Sequence, residues 1–219
     1  MELLRKDREP LTCRVIWSEL EYGCMGRTTD AMSSVNFPFD VTKATEVACQ
    51  FLSREGGAIN IMKLVKLVYL LDRSSVSRRG IPIVGGAYFS LPNGPITSEF
   101  LDLVNSGSLW GMEKSRWDEF ISDRQDHQVA LIKALGREHL SDSEIDLIDE
   151  VYKVHGHQDQ WQLRDWCHEH CEEWTPLEQG REQIGIERMA RAVGKTEEQI
   201  ARLKEEVQEI QFLSAAFHH

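Results

Sequence analysis

The densest group of chemically reactive side chains in the sequence is the run Cys167-His168-Glu169-His170-Cys171. Thiolate and imidazole are ligands that Zn²⁺ prefers, and a structural zinc site holds four ligands in a tetrahedron. On a helix, Cys167 and Cys171 share one face, and His170 lies about 60 degrees away from it. At most three of these side chains therefore reach one ion. A complete site would need a further ligand from elsewhere, such as His155, His157 or Cys49.

Two hypotheses follow for this run. In the first, Cys167, His170 and Cys171 belong to a zinc-binding enzyme or a metalloregulator. In the second, the helix carries two half-buried thiols and a structural histidine, His168, which is hydrogen-bonded near the lysine-rich helix described below. Because four converging ligands are required, the sequence favours the second hypothesis, and we expect no cofactor.

A second candidate site is a basic ridge on the segment 61–73. At 100 degrees per residue, three basic side chains of this predicted helix fall close together: Lys63, Lys66 and Arg73. Basic groups on a rigid helix would complement an acidic surface of a partner protein. The alternative is internal pairing with Asp or Glu, which are abundant in a chain of formal net charge -11. The acidic composition favours internal pairing.

The sequence contains no recognisable catalytic motif. It lacks a glycine-rich phosphate loop, a nucleophile elbow, a His-Glu-x-x-His pair and a Pro-Cys-x-x-Cys pair. The carboxylates between Asp142 and Glu150 have the spacing of a solvated helix face. We therefore predict a binding module and not an enzyme.

The composition indicates one compact domain in a reducing compartment. A hydrophobic share of 41% in 219 residues is enough for a sizeable core. The negative charge and the isoelectric point near 5.2 argue against nucleic acid as a partner. A DNA-binding autoregulator is a third hypothesis, and it would require a localised basic face. Five cysteines without regular spacing, no membrane-length apolar run and no signal-peptide core predict the cytoplasm and no membrane contact.

Hydrophobic periodicity predicts that helices position these side chains. Residues 41–52 form an amphipathic helix with Asp40 as its N-cap and Gly56-Gly57 at its end. A second helix covers about residues 60–77, and its apolar stripe wraps most of its circumference. This helix is predicted to be the buried spine of the domain. Residues 81–91 combine glycines with short apolar runs, which predicts an irregular strand or an extended loop.

The second half of the chain gives further local signals. Gly94-Pro95 is predicted to open a helix, with proline at its first position. A β-hairpin is predicted around residues 123–128, a capping box at Ser141–Glu144 starts a helix, and another helix covers about residues 160–171. The predicted fold class is mainly α, a single helical domain with a small β-hairpin or irregular strand element.

The chain divides into three predicted segments. Residues 1–36 form an extension, which is disordered or results from a start called too early, since Met32 is an alternative start. Residues 37–176 form the domain, and residues 177–219 form a C-terminal helical module. The box at residues 196–199 caps a terminal helix with a short apolar seam. That helix either docks onto the domain or meets a partner, and docking is favoured because stable heptads need three or four repeats.

Several short motifs follow one another in a distinctive order. They are a Lys-Leu-x-Lys-Leu-x-Tyr helix with an acidic residue after it, a Gly-x-Pro turn, a Gly-Pro pair, and a Leu-x-x-x-x-His helix followed by Trp. The residues that carry these motifs are Lys63, Leu64, Lys66, Leu67, Tyr69, Asp72, Gly80, Pro82, Gly94, Pro95, Leu163, His168 and Trp174. In this order they resemble the Panacea domain, the SocA-like antitoxin family of bacterial and phage toxin–antitoxin systems. Cys167 departs from the pattern, since a small hydroxyl residue is usual before the histidine.

The resemblance implies an antitoxin that neutralises a toxin protein by direct contact. It implies a partner encoded by a neighbouring gene, and, since one family member is an adaptor, a protease is a second conceivable partner. The motif residues are expected to be structural, with the hydroxyl group of Tyr69 tied to a partner inside the core.

Overall fold

The structure is a computed structural model that describes residues 36–106 and 116–217, with side chains described as far as residue 212. Apart from Asn36, the predicted extension and its alternative start at Met32 lie outside these residues. The helices of the described ranges are α1 (Val41–Arg54), α2 (Ile61–Arg79), α3 (Ser98–Ser106), α4 (Trp117–Phe120), α5 (Asp142–His155), α6 (Gln160–His170), α7 (Ile186–Ala192) and α8 (Glu197–Phe217). The strands are β1 (Ala58–Asn60), β2 (Tyr88–Leu91), β3 (Gly94–Thr97), β4 (Gln128–Ala130) and β5 (Glu182–Ile184). The predicted fold class is confirmed.

The first helix begins at the cap that the sequence predicts, and the second begins at a cap that the structure reveals. The Asp40 carboxylate accepts a hydrogen bond from the Lys43 backbone N–H at 2.9 Å, and α1 ends just before Gly56, whose φ is +86°. In α2, the Asn60 side chain accepts from the backbone N–H groups of Met62 and Lys63. Both caps satisfy backbone donors that have no partner inside the helix.

Helix α2 is the spine of the molecule. Every residue from Ile61 to Asp72 is buried, including two lysines and an aspartate. The helix packs against α1, α5, α6 and α7 and against strand β3. A helix surrounded on nearly all sides has no solvated stripe, and its polar side chains must therefore find partners inside the protein.

The prediction that Gly94-Pro95 opens a helix was wrong. Both residues belong to β3, which pairs with β2 in an antiparallel hairpin closed by Pro92 and Asn93, and α3 begins only at Ser98. The φ of Gly94 is +96°, which suits the end of a tight turn. Because β3 lies at the edge of the sheet β3-β2-β5, it tolerates a proline that cannot donate to a ladder.

The hairpin predicted around residues 123–128 is present, but its second strand has another principal partner. Isolated bridges join Gln125 to Gln128 and Ile121 to Leu131, and the turn places Asp126 and His127 at positive φ. Strand β4 then pairs antiparallel with β1 in a two-stranded sheet.

The C-terminal segment docks onto the preceding residues. Strand β5 pairs with β2, and side chains from β5, α7 and α8 enter the same hydrophobic core as α2, among them Ile184, Met189 and Val207. The boundary predicted at Pro176 therefore does not separate two cores within the described residues. Both predicted capping boxes are formed, at Ser141–Glu144 and between Thr196 and Gln199.

Candidate functional site

The motif residues of α2 meet partners from several distant parts of the chain in a buried polar network. Asp72 is fully buried, and its carboxylate accepts hydrogen bonds from the backbone N–H groups of Ile83, Val84 and Gly85 at 2.8 to 3.0 Å. It also accepts from the Tyr88 hydroxyl at 2.9 Å. Burial raises the pKa of Asp72 to about 6, although these four hydrogen bonds favour the carboxylate. One side chain thus fixes the whole turn between α2 and β2.

The glycine and the proline of the Gly-x-Pro motif, Gly80 and Pro82, lie at the start of the same turn. Gly80 caps α2 at a φ of +84°, and its N–H donates to the Val76 carbonyl at 3.0 Å. Pro82 lies just beyond Ile81, whose carbonyl accepts the Ser75 hydroxyl at 2.6 Å. These contacts reverse the direction of the chain after α2. The backbone N–H groups of residues 83–85 then lie next to the Asp72 carboxylate.

Lys66 is buried beneath β3, and its Nζ donates to the Pro95 carbonyl at 2.8 Å. Burial lowers the pKa of Lys66 to about 8, and the nearby thiols of Cys167 and Cys171 oppose that shift in part. A Cβ atom added at Gly94 would lie 2.9 Å from the Lys66 Nζ and 3.3 Å from the His168 ring. Glycine at position 94 therefore makes room for the buried ammonium group.

Tyr69 and Arg73 share a buried carboxylate that sequence reasoning missed. The Tyr69 hydroxyl donates to Glu173 Oε1 at 2.6 Å, and Arg73 Nε donates to the same oxygen at 2.7 Å. Glu173 is fully buried, and Tyr69 has a pKa well above its ordinary value, mainly because of its own burial. The spacing of four residues between Tyr69 and Arg73 was the available signal, since a donor pair on one helix face requires an acceptor.

His168 and Trp174 close the network on the side of α6. Their rings are stacked with centroids 3.9 Å apart, and the Trp174 indole N–H donates to the Leu91 carbonyl at 2.9 Å. Burial and the charge of Lys66 lower the pKa of His168, whose Nε2 is buried without a hydrogen-bond partner among the described residues. Leu163, the remaining motif residue of α6, is fully buried in the core.

The geometry of the Cys-His run does not gather zinc ligands. Cys167 and Cys171 are buried free thiols, and the interaction with Cys171 lowers the pKa of the Cys167 thiol. The His170 ring instead stacks on Trp166, with centroids 4.4 Å apart, and its Nδ1 lies 2.9 Å from the Trp166 carbonyl. Within the described residues, no three His, Cys, Asp or Glu side chains are arranged to hold a metal ion.

The three residues of the predicted basic ridge all have internal partners. Lys63 Nζ is bonded to Glu55 Oε1 and donates to the Gly156 carbonyl at 2.8 Å, while Lys66 and Arg73 have the partners given above. Two of the three side chains are almost fully buried. Internal pairing is therefore the arrangement of the folded chain, and a direct contact of these residues with a partner stays a prediction.

Lys63 lies at the end of the buried network and borders a groove on the surface. The groove, of about 370 Å³, lies between β1 and the turn from α5 to α6. Its lining is mostly polar and comprises Glu55, Ala58, Ile59, Asn60, Lys63, Gln128, Gly156, His157, Gln158, Asp159 and Gln160. Next to the lining in sequence are two partly exposed apolar residues, Val154 and Trp161, with exposures of 56% and 36%. No local pattern predicted this groove, because its walls come from distant parts of the chain.

These features define a mainly helical protein whose motif side chains build the interior and whose surface includes a polar groove. Residues 64–175 match the family model described as Antitoxin SocA-like, Panacea domain. Because this match spans more than half of the chain, the protein belongs to that family, as the order of its motifs predicted. Comparisons with curated proteins and with solved structures gave no match. Among the described residues, no helix is both long and apolar enough to cross a membrane.

Proposed function

We propose that this protein is an antitoxin that neutralises a cognate toxin by direct protein–protein contact, without chemistry of its own. The observation that carries this proposal is the match of residues 64–175 to the SocA-like antitoxin family. The toxin is the product of a neighbouring gene, and the complex forms in the cytoplasm. The buried free thiols Cys49, Cys167 and Cys171 suit that reducing compartment.

The internal contacts support a binding function. Three ionisable residues of the family motifs are fully buried and bonded inside the core: Lys66, Tyr69 and Asp72. None of the three lines the groove. They hold α2, α6, β3 and the 81–87 loop in one arrangement. Such a rigid scaffold leaves the surface free to vary, which suits a binding module whose specificity is set by its exposed residues.

Co-expression tests this proposal. The neighbouring reading frame is expressed from an inducible promoter, alone and together with this protein, and growth is followed after induction. We expect growth arrest with the toxin alone and growth in the presence of both proteins, which should co-purify as one complex. A neighbouring product that is harmless alone, or arrest that persists beside this protein, would contradict the proposal.

The fate of the toxin separates two routes of neutralisation. Occlusion leaves the toxin concentration unchanged, whereas delivery to a protease lowers it. Quantitative immunoblotting of the toxin in the rescued cells, before and after translation is blocked, measures the difference. We expect a stable toxin held in the complex, because a scaffold that offers binding surface is sufficient for occlusion.

A further inference from the structure

Strand β1 has one bonded edge and one open edge. Its bonds to β4 run from the Leu131 N–H to the Gly57 carbonyl at 2.8 Å and from the Ile61 N–H to the His127 carbonyl at 2.9 Å. Backbone groups alternate in direction along an antiparallel strand. The N–H and C=O of Ala58 and the N–H of Asn60 therefore point away from β4, and in the described part of the chain no strand or other group bonds to them.

The strand with this open edge also borders the groove. Ala58, Ile59 and Asn60 line it on one side, and the turn between α5 and α6 lines it on the other. Four carboxamide side chains also line the groove: Asn60, Gln128, Gln158 and Gln160. The side-chain oxygen of Asn60 caps α2 and that of Gln158 lies 3.0 Å from His155 Nδ1, so these two side chains offer amide donors, while Gln128 and Gln160 offer a donor and an acceptor like those of a peptide bond. An open strand edge beside carboxamides can pair with the main chain of an extended peptide.

The charged side chains that line the groove indicate which kind of ligand it can bind. Lys63, the one lysine of the lining, is already bonded to Glu55 and to the Gly156 carbonyl. The carboxylate of Asp159 caps α6 by accepting from the Trp161 and Gln162 N–H groups, both at 2.8 Å. With these ionic groups bonded internally, His157 is the one basic side chain of the lining that no ion pair or hydrogen bond holds within the described part of the protein, and a single imidazole makes a poor phosphate site. The chemistry of the groove fits the uncharged backbone of a protein segment.

From these contacts we infer that the toxin docks an extended segment against β1 and adds a third strand to the sheet of β1 and β4. This inference rests on the proposed function and specifies where the partner binds. The segment forms main-chain hydrogen bonds with Ala58 and Asn60, and its alternate side chains meet the carboxamides or the exposed ring of Trp161. Main-chain pairing supplies affinity, while the contacts of the side chains supply specificity.

A pair of substitutions at position 58 tests the backbone contact. Ala58→Pro removes the N–H donor at the open edge and leaves the bonds to β4 in place, and proline is tolerated at edge strands. Ala58→Thr is the matched control, because it keeps the donor on an exposed side-chain position of β1. We expect Ala58→Pro to bind the purified toxin at least about tenfold more weakly than the wild type, and Ala58→Thr to bind within about twofold.

Hydrogen exchange on the unaltered protein gives a second readout. Adding the toxin should slow the exchange of the Ala58 and Asn60 amides, whereas the amides bonded within α2 should change little. This measurement does not depend on whether a proline variant folds. Wild-type protein that binds the toxin with unchanged exchange at both amides, together with full binding by folded Ala58→Pro, would overturn the inference and leave the antitoxin function standing. Absence of any binding by the wild type would instead contradict the proposed function itself.

The oligomeric state of the free protein is a further test of the inference. If the free protein sediments as a dimer and protects the same two amides without toxin, the edge belongs to a second copy of the chain, and the inference is wrong. We expect both amides to exchange freely in the isolated protein over a range of concentrations.

Discussion

The two ends of the buried part of α2 differ in what surrounds them. At its C-terminal end, Lys66, Tyr69 and Asp72 are enclosed by β3, α6 and the 81–87 loop, and each is bonded inside the core. At its N-terminal end, Asn60 and Lys63 line an open groove. One family motif therefore supplies both the interior and one wall of a surface site. A motif lysine is thus enclosed in the core at position 66 and borders an open groove one turn earlier, at position 63.

The largest expected effect is on the enclosed end. Ala in place of Asp72 leaves three backbone N–H groups and the Tyr88 hydroxyl without their buried acceptor, which should cost roughly 3 to 5 kcal/mol of unfolding free energy. Urea denaturation followed by circular dichroism measures the loss. Asp146→Ala on the exposed face of α5 is the control, and it should change stability by less than about 0.5 kcal/mol. Equal effects of the two substitutions would show that the network is not what holds the fold.

The pH dependence of stability tests the buried charge of Lys66. Its pKa is lowered from 10.5 to about 8 in the folded protein, so the unfolded chain binds more protons between those values. Stability should therefore rise with pH from about 8 to 10.5 through this group, by up to about 3 kcal/mol. Lys66→Met removes that rise, while Lys153→Met on the exposed side of α5 keeps it. Urea midpoints at pH 7.5, 9 and 10 decide the question, and parallel curves for the two variants would contradict the prediction.

A smaller effect is expected from the glycine that faces Lys66. Gly94→Ala places a Cβ atom 2.9 Å from the Lys66 Nζ in a backbone with a φ of +96°, and should cost about 1 to 3 kcal/mol. Gly180→Ala has a similar positive φ of +79° but no atom within 4 Å of the added Cβ. The difference between the two melting temperatures isolates the steric contact with Lys66. If Gly180→Ala lowers the melting temperature as much as Gly94→Ala does, the effect at position 94 comes from backbone strain and not from contact with Lys66.

The smallest effect on stability, with a clear effect on binding, is expected at the groove. Trp161 is 36% exposed beside the lining, and the Arg164 guanidinium lies 5.0 Å from its ring centre. Trp161→Ala should alter the unfolding free energy by less than about 1 kcal/mol and weaken toxin binding, because exposed tryptophans are frequent hot spots. Isothermal titration with the toxin measures the affinity, with Glu206→Ala on α8 as the control. Unchanged affinity for Trp161→Ala would place the docking surface elsewhere.

Local signals in the sequence predicted the longer helices but not the short helices α4 and α7. Caps at Asp40 and Ser141 require only neighbouring residues, so their spacing was sufficient. The Gly94-Pro95 pair was misread because proline suits both the first turn of a helix and an edge strand. Only the pairing of β3 with β2 decides between the two.

The site was harder to predict than the fold because its contacts are distant in sequence. Glu173 lies 100 residues from Arg73, and nothing local announces that it is the acceptor for two donors on α2. The groove likewise combines β1 with the turn near Asp159. Spacing placed the lysines of α2 on one face, but only the packed structure shows which of them borders solvent.

Titration of the toxin against three folded proteins tests the central claim, that the enclosed network is scaffold and the groove is the docking surface. The proteins are the wild type, Lys66→Met and Ala58→Pro, each first checked by circular dichroism. We predict that Lys66→Met binds the toxin with nearly wild-type affinity and that Ala58→Pro binds at least about tenfold more weakly. Loss of binding by a folded Lys66→Met protein, with full binding by Ala58→Pro, would contradict the account.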